Sequence, residues 1–574
     1  MNTFKHYYAT ALEKAYTALY GKSDTDVLTS IEYTEPQFGH LTSNIAMRAS
    51  RQLGKSPMDI AETLADLLQK DKVFTKVSAV APGFINVSLG DEVFAGVIAG
   101  AASDFSKFMR SESEEFSAKN IVMEYSHPNI GKPMGVHHLL STVIGDAIKR
   151  SYREIGATVV ADNFIGDLGT QFGKLIHAVK SWGDLEKIEL DPITELLKLY
   201  VQFHIEAESD VELDDAARVE YKKLEDGDPE NRALWQKIIG WSKAEIQPIY
   251  DELDVEFDYM NGESFYEKAL PGIIDQGVKK DIFVESQGAL VYTMKNPDLP
   301  PAIVRKKDGA TLYLTRDLAR IEYWEQTWHP DLMIVVVDMA QSLHFQQVFE
   351  VAEAMELTDA QNVHVGFGRM QFADSSMSTR KGNILLLHDL IDEAKKRARE
   401  LVDSKTKDLT DDEKHELTEV LAIGSLKYNI LSQNRQSNIT FDWSKMLTFE
   451  GNSAPYLVYS TVRARSIAQK AAQQTAEVEQ GNSRTQFSDL EKQLALHLSK
   501  FPYAVKESLA EYRPNAIANY LYGLAQSYNS FYNTVEFLKA SQADRERRLQ
   551  LNQLFIEIMS SGLQMLGIEI PTKM

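Results

Sequence analysis

Along residues 120–150, NIVMEYSHPNIGKPMGVHHLLSTVIGDAIKR, the hydrophobic pattern changes period once. Ile121, Val122 and Met123 read as a short buried strand, whereas Leu140, Val143, Ile144, Ala147 and Ile148 recur at helical spacing. A strand feeding a helix is therefore predicted. The turn between them carries Pro128, Asn129, Gly131, Pro133 and Gly135, so the amides that open the helix can face a ligand. Lys132, His137 and His138 stand at that opening. Cationic side chains beside the positive end of a helix dipole make a phosphate site. The plainer alternative is a strand-turn-helix with a cation near its cap.

The same reading extends along the chain. Residues 5–20 and 44–68 have the pattern of amphipathic helices, and residues 72–89 have strand character around the turn APGFIN, which predicts an α+β module over residues 1–110. The polar stretch RSESEEFSAK from Arg110 reads as a linker. Residues 158–163 form a second short strand, and GDLGTQFGKL then opens another helix. Two such units in succession predict an α/β catalytic domain with a doubly wound, Rossmann-like parallel sheet, its ligand at the carboxyl ends of the strands. This domain is placed at residues 111–405. Residues of about 180–300 are acidic and helical without strand signals, as in an insertion between two halves of the sheet; their acidic runs read as solvated faces. The sheet is expected to resume with GATLYLTRDLARIEYW, DLMIVVVD and VHVGFG. A Ser/Thr/Gly loop, DSSMSTRKGNILLL, follows, with Arg380 and Lys381 side by side. Two cationic loops at opposite ends of one α/β unit suit a nucleoside triphosphate whose α-phosphate is attacked while pyrophosphate leaves. Residues 401–416 read as a charged connector, and residues 406–574 as an all-α helical bundle.

Composition narrows the class. A chain of 574 residues exceeds one hydrophobic core, so two to four domains are expected. Hydrophobic content of 44% and charged content of 25% are ordinary for a globular protein. No apolar run reaches membrane-spanning length and the first twenty residues are amphipathic, so a cytoplasmic protein without a membrane partner is expected. With no cysteine, disulfides and thiolate zinc sites are excluded. A net charge of -22 argues against non-specific nucleic-acid binding; any RNA partner must meet local basic patches, in a salt-sensitive way.

The motifs SHPNIGKPMGVHHLL from Ser126, GDLGTQFGKL from Gly166, LYLTRDLA from Leu312 and MSTRKGN from Met377 resemble the signature stretches of class I aminoacyl-tRNA synthetases, arginyl-tRNA synthetases in particular. The likeness runs from Phe38 almost to Met574. It implies an arginine–tRNA ligase using ATP and Mg²⁺, with tRNA and L-arginine as partners, no resident metal, and a monomeric state. It also implies that activation requires bound tRNA. Catalytic roles fall by resemblance on Lys132, His138, Arg380 and Lys381. ATP contacts fall on Pro128, Gly135, His137, His138, Met377 and Ser378.

Arginine is a flat cation with five donors, so its pocket needs carboxylates for the fork and neutral acceptors in the same plane. The resemblance assigns this to Glu124, Asn129, Tyr313, Asp317 and Gln341. For Asp317 the local alternative is pairing with Arg320, three residues on. Glu124 ends an apolar strand, where an acid is costly unless it meets a cation. The N-terminal module resembles a domain associated with the tRNA D-loop corner, with Phe84 as a stacking face and Asn86 as an amide edge; a core Phe and a turn Asn are the equal alternative. The bundle resembles an anticodon-binding domain, with Tyr456 and Tyr459 on one helical face and Met574 nearby; the alternative is that both tyrosines are core.

Several positions depart from the family pattern. Gly135 stands where a His is usual, His137 where a Gly is usual and Leu140 where an Arg is usual, and Leu168 replaces a Trp; Ser376 and Thr379 replace the two lysines of the general class I form, although an M-S-T-R-K version occurs within the family. These departures leave open a catalytically impaired, synthetase-derived tRNA-binding protein. Another class I synthetase and a nucleotidyltransferase acting on a cofactor precursor are further alternatives.

Overall fold

The computed structural model describes residues 3–22, 26–210, 212–307, 309, 311–373, 386–406, 408–473 and 486–574. The loop containing Met377, Ser378, Arg380 and Lys381 lies outside the described residues.

The catalytic sheet has four parallel strands, in the order Gln361–His364, Leu332–Val335, Asn120–Glu124, Thr158–Asp162. The chain leaves Asn120–Glu124 toward one edge and later returns on its other side at Leu332–Val335. The carboxyl ends of these two neighbours are thus a topological switch point, where open α/β sheets leave a crevice. Helix Val136–Glu154 packs against the sheet with most of its residues buried. Gly145 permits this approach, because a Cβ there would stand 2.3 Å from Cγ of the buried Tyr125 ring.

The segment read as an all-helical insertion holds helices Pro192–Ala207, Glu212–Glu225 and Pro229–Glu252, but it also holds strands. Val284–Ser286, Ala289–Tyr292 and Ala302–Arg305 form an antiparallel sheet. Strands of three and four residues are too short to establish a period; the usable signal was Gln287-Gly288, whose left-handed φ values of 51° and 82° turn the hairpin. In GATLYLTRDLARIEYW a helix begins at Tyr313 and runs beyond the stretch to Trp328, where a strand was expected.

The N-terminal module is a four-stranded antiparallel sheet, ordered Ile31–Tyr33, Leu41–Ser43, Phe84–Leu89, Phe74–Val80, with helices against it. Residues 44–68 make two helices rather than one, Ile45–Leu53 and Pro57–Leu68. Gly54 takes the left-handed conformation, and Ser56 caps the second helix by accepting from the Asp59 amide at 3.1 Å. The expected linker follows helix Phe105–Arg110 directly and itself holds a short helix, Glu114–Ser117. The charged connector is mostly helix as well: Leu387–Lys405 runs almost to Asp411–Leu431, which starts with a Thr410/Glu413 capping box.

Further helices complete the C-terminal region, from Ala454–Gln473 to Gln542–Met565. The C-terminal region touches both others: Tyr33 Oη meets Ser499 Oγ at 2.8 Å, Lys492 pairs with Asp91 at 2.6 Å, and Tyr152 Oη donates to the Leu509 carbonyl at 3.1 Å. Among the described residues no helix is long and apolar enough to cross a membrane.

Candidate active site

Directly after the strand that ends at Glu124, Ser126 and His127 take left-handed φ values of 81° and 53°. The turn is held there by buried hydroxyls. The Ser126 amide donates to Ser141 Oγ at 2.9 Å, Ser141 Oγ donates to the Val336 carbonyl at 2.6 Å, and Ser126 Oγ meets Tyr250 Oη at 2.7 Å. Further along, Gly131 donates its amide to Ser242 Oγ at 2.9 Å. Over-determined backbone of this kind is typical of functional turns. Asn129, exposed, lies across from Gly166, whose added Cβ would stand 3.0 Å from Asn129 Oδ1.

A cleft of about 480 Å³ opens at the switch point. Its walls include His127, Asn129, His137 and His138 from the turn and helix, Asp338 and Gln341 beyond the neighbouring strand, and Arg369 beyond the edge strand. Pro128 and Gly135 are buried in the turn. Gly135 caps the helix and donates its amide to His138 Nδ1 at 3.1 Å.

The two histidines were expected to be cationic, and the structure corrects this. Burial pushes His138 down to about 3, helped by neighbouring His137, and burial also lowers His137. Both are neutral at pH 7, with ring centroids 3.9 Å apart. Lys132 stands 4.1 Å over the Tyr200 ring of the insertion rather than on the cleft wall.

Below the cleft lies a buried ionic cluster. Glu124 is 1% exposed and Asp317 5%. Both meet the guanidinium of Arg320, itself wholly buried: Nη1 contacts Glu124 Oε2, and Nη2 stands 3.1 Å from Asp317 Oδ1. His127 Nδ1 lies 3.0 Å from Glu124 Oε1, and His344 Nε2 lies 2.6 Å from Asp317 Oδ2. Asp162, on the adjoining strand, is buried and accepts from the Asn261 amide at 3.1 Å and from Tyr266 Oη at 3.3 Å. Burial pushes Glu124 up to about 8; Asp317 and Asp162 add to the rise, and Arg320 opposes it. Burial also raises Asp162. Burial alone would raise Asp317 too, but Arg320 and the His344 hydrogen bond hold it below the usual carboxylate range. Burial keeps His127 neutral, near 3.

The fold thus brings Glu124 and Asp317 together and sets Asn129 and Gln341 on the cleft wall. Tyr313 is 63% exposed, beside Arg316. Sequence reasoning raised Arg320 only as a partner for Asp317; its contact with Glu124, 196 positions away, carries no local signal. His344, 27 positions from Asp317, was missed for the same reason; His127, only three residues after Glu124, had a local signal in the motif from Ser126 that was not used, and Arg369 had no periodicity or motif to single it out.

On the RNA side, Asn86 does not offer its amide edge. It is 6% exposed and its Oδ1 accepts from Thr42 Oγ1 at 2.6 Å, because the two are cross-strand partners. Phe84 is half-buried on the same strand. In the bundle Tyr459 and Met574 line a cleft of about 430 Å³ with Phe449 and Leu409, and Arg463 donates to Tyr459 Oη at 2.8 Å. Tyr456, expected on the same face, turns elsewhere: its hydroxyl accepts from Asn529 Nδ2 at 3.0 Å and its ring packs on Tyr522.

Three family models cover nearly the whole chain. Arginyl tRNA synthetase N terminal domain matches residues 2–89, tRNA synthetases class I (R), catalytic domain, matches 105–443, and DALR anticodon binding domain matches 457–574. The arginine–tRNA ligase of Fusobacterium nucleatum is 39% identical over 543 residues, 94% of each chain, and that of Clostridium botulinum is 38% identical over 530 residues, 92% of each. The arginyl-tRNA synthetase structure from Plasmodium falciparum superposes with a TM-score of 0.81 at 24% identity, and that from Thermus thermophilus with 0.78 at 23%, each covering 100% of both chains and each a match of fold. The chain belongs to the arginyl-tRNA synthetase family.

Proposed function

We propose that this chain is an arginine–tRNA ligase. It activates L-arginine with ATP to arginyl-adenylate and passes the arginyl group to the 3′-terminal adenosine of tRNA. The observation that carries the reading is the pair of buried acids, Glu124 and Asp317, beneath a cleft at the switch point of the sheet. In the first step a carboxylate oxygen of arginine attacks the α-phosphorus and the bond to pyrophosphate breaks. In the second a ribose hydroxyl attacks the acyl carbon and AMP leaves. No side chain becomes covalently bonded, so rate comes from placement and charge stabilisation.

Pro128, Gly135, His137 and His138 are proposed to line the ATP site. The neutral histidines serve as hydrogen-bonding groups, and Lys132 supplies charge once it leaves Tyr200. Met377 and Ser378 are proposed as further ATP contacts, and Arg380 and Lys381 as charge for the phosphates, on the strength of the motif alone. Among the described residues no three His, Asp or Glu side chains gather as a metal cage. Mg²⁺ is proposed to arrive on the phosphates of ATP, as part of the substrate, the usual manner for this hydrated ion. Asn129, Gln341 and Tyr313 complete the arginine pocket. The domain limits are proposed near residues 110 and 405, with a monomer working in the cytoplasm.

The proton on Glu124 gives a direct test. Below about pH 8 it competes with the guanidinium of the substrate for the same carboxyl group. KM for arginine is therefore expected to fall about eightfold between pH 7 and pH 8.5, while KM for ATP stays level. Steady-state charging across that range checks it, and a flat arginine KM contradicts the assignment.

For tRNA, the Tyr459–Met574 cleft is proposed to take an anticodon base, with Phe84 a second contact on the N-terminal module. Tyr459→Ala is expected to lower charging roughly tenfold to a hundredfold, the worth of one stacked base. Tyr456→Phe is expected to leave charging unchanged, since that ring packs inside the bundle. Equal charging by both variants would mean that the cleft is structural.

A further inference from the structure

Arg320 is an arginine held inside a pocket read as receiving arginine. Its guanidinium lies 4.8 Å from the Phe164 ring centroid and 4.9 Å from that of Trp324, so aromatic faces fix its place. It engages one oxygen of each acid, Glu124 Oε2 and Asp317 Oδ1. The other oxygens, Glu124 Oε1 and Asp317 Oδ2, face His127 and His344. The side chains of these histidines are 22% and 28% exposed, against 1% for Arg320, and His127 lines the cleft. The cluster therefore has an inner cationic side that is closed and an outer side covered by two partly exposed imidazole rings.

We propose that Arg320 is a positioning residue for substrate selection: it fixes the inner oxygens of Glu124 and Asp317, so that the outer two form a receptor which the substrate guanidinium enters by displacing His127 and His344. The proposal rests on the reading that these two acids receive the side chain of arginine. Charge supports it. Glu124 and Asp317, both ionised, carry two negative charges; Arg320 balances one and a single substrate guanidinium the other. Asp162 is satisfied by Asn261, Tyr266 and Trp324 instead. Shape supports it as well, because two acids held apart by a fork suit a second fork, whereas the compact ammonium of lysine is a point charge.

Arginine-dependent pyrophosphate exchange, run with tRNA present, tests this on the full chain with Arg320→Met, Arg320→Lys and Glu124→Gln. Arg320→Met should raise KM for arginine about tenfold or more and leave KM for ATP unchanged. It should also move the pH at which arginine binding half-develops upward by about one unit or more, because the acids lose their resident cation. Arg320→Lys should restore that pH while keeping an intermediate KM. A merely structural role would lower the active fraction without moving the midpoint, and that result overturns the proposal. If Arg320→Met does not fold by thermal unfolding, Arg320→Lys decides, since a parental arginine KM there means that no fork is needed. An unchanged arginine KM in Glu124→Gln would overturn the pocket itself. A raised KM there with parental values in both Arg320 variants would overturn only the role of Arg320.

Discussion

Glu124→Gln is expected to fold normally and to lose arginine activation. The free site holds Glu124 largely protonated at pH 7, since burial raises it to about 8. Gln is close in shape to that protonated acid, so thermal stability should change by less than about 1 kcal/mol. When arginine arrives the situation reverses. The parent releases a proton and meets the guanidinium with a carboxylate, whereas the amide leaves Arg320 and the substrate as two cations sharing Asp317. Removing one partner from a buried, hydrogen-bonded charge pair costs about 2–5 kcal/mol. That is roughly thirtyfold to a few thousandfold in kcat/KM, carried mainly by the arginine KM. Steady-state kinetics with arginine and ATP varied separately checks this. A variant with parental arginine KM would remove Glu124 from the pocket.

The second large effect is expected at His138. Its Nδ1 accepts from the Gly135 amide, so the ring fixes the first turn of the helix as well as lining the cleft. His138→Ala should slow adenylate formation by about 1.5–3 kcal/mol, or tenfold to somewhat over a hundredfold, the scale of one hydrogen bond to a charged group. Because His138 is neutral well above its value of about 3, the loss should be the same from pH 6 to pH 8. His137, exposed beside it, stands two residues after Gly135, the position where the family usually has its first histidine. His137→Gly should also be impaired, and Gly135→His combined with His137→Gly should return near-parental rates. A faster His137→Gly enzyme would identify that ring as an obstruction.

Much of this was legible before any coordinates. The change of period between Ile121–Met123 and Leu140–Ile148 gave both the strand and its helix, because burial on a sheet and on a helix face impose different spacings. An acid at the end of an apolar strand marked Glu124 for the same energetic reason that keeps it largely protonated at pH 7 in the free site. Other features were not legible. The pairing of Arg320 with Glu124 depends on a helix crossing a strand from the other half of the domain, and nothing near either residue encodes it. The displacement of Lys132 onto Tyr200 depends likewise on where the insertion folds back. Asn86 was misjudged because an amide in a short strand reads alike whether it faces solvent or a cross-strand threonine. The break between the two helices of residues 44–68 could have been read from Gly54, Ser56 and Pro57, a C-cap, an N-cap and a first-turn proline in order.

The site at the switch point is expected to attach arginine to tRNA at the expense of ATP. Charging of tRNA with each amino acid in turn, in the presence of ATP and Mg²⁺, measures this. Arginine alone should be attached by the parent protein, and Glu124→Gln should lose that charging at low arginine. Binding of tRNA without attachment of any amino acid, or attachment of a different one, would contradict it.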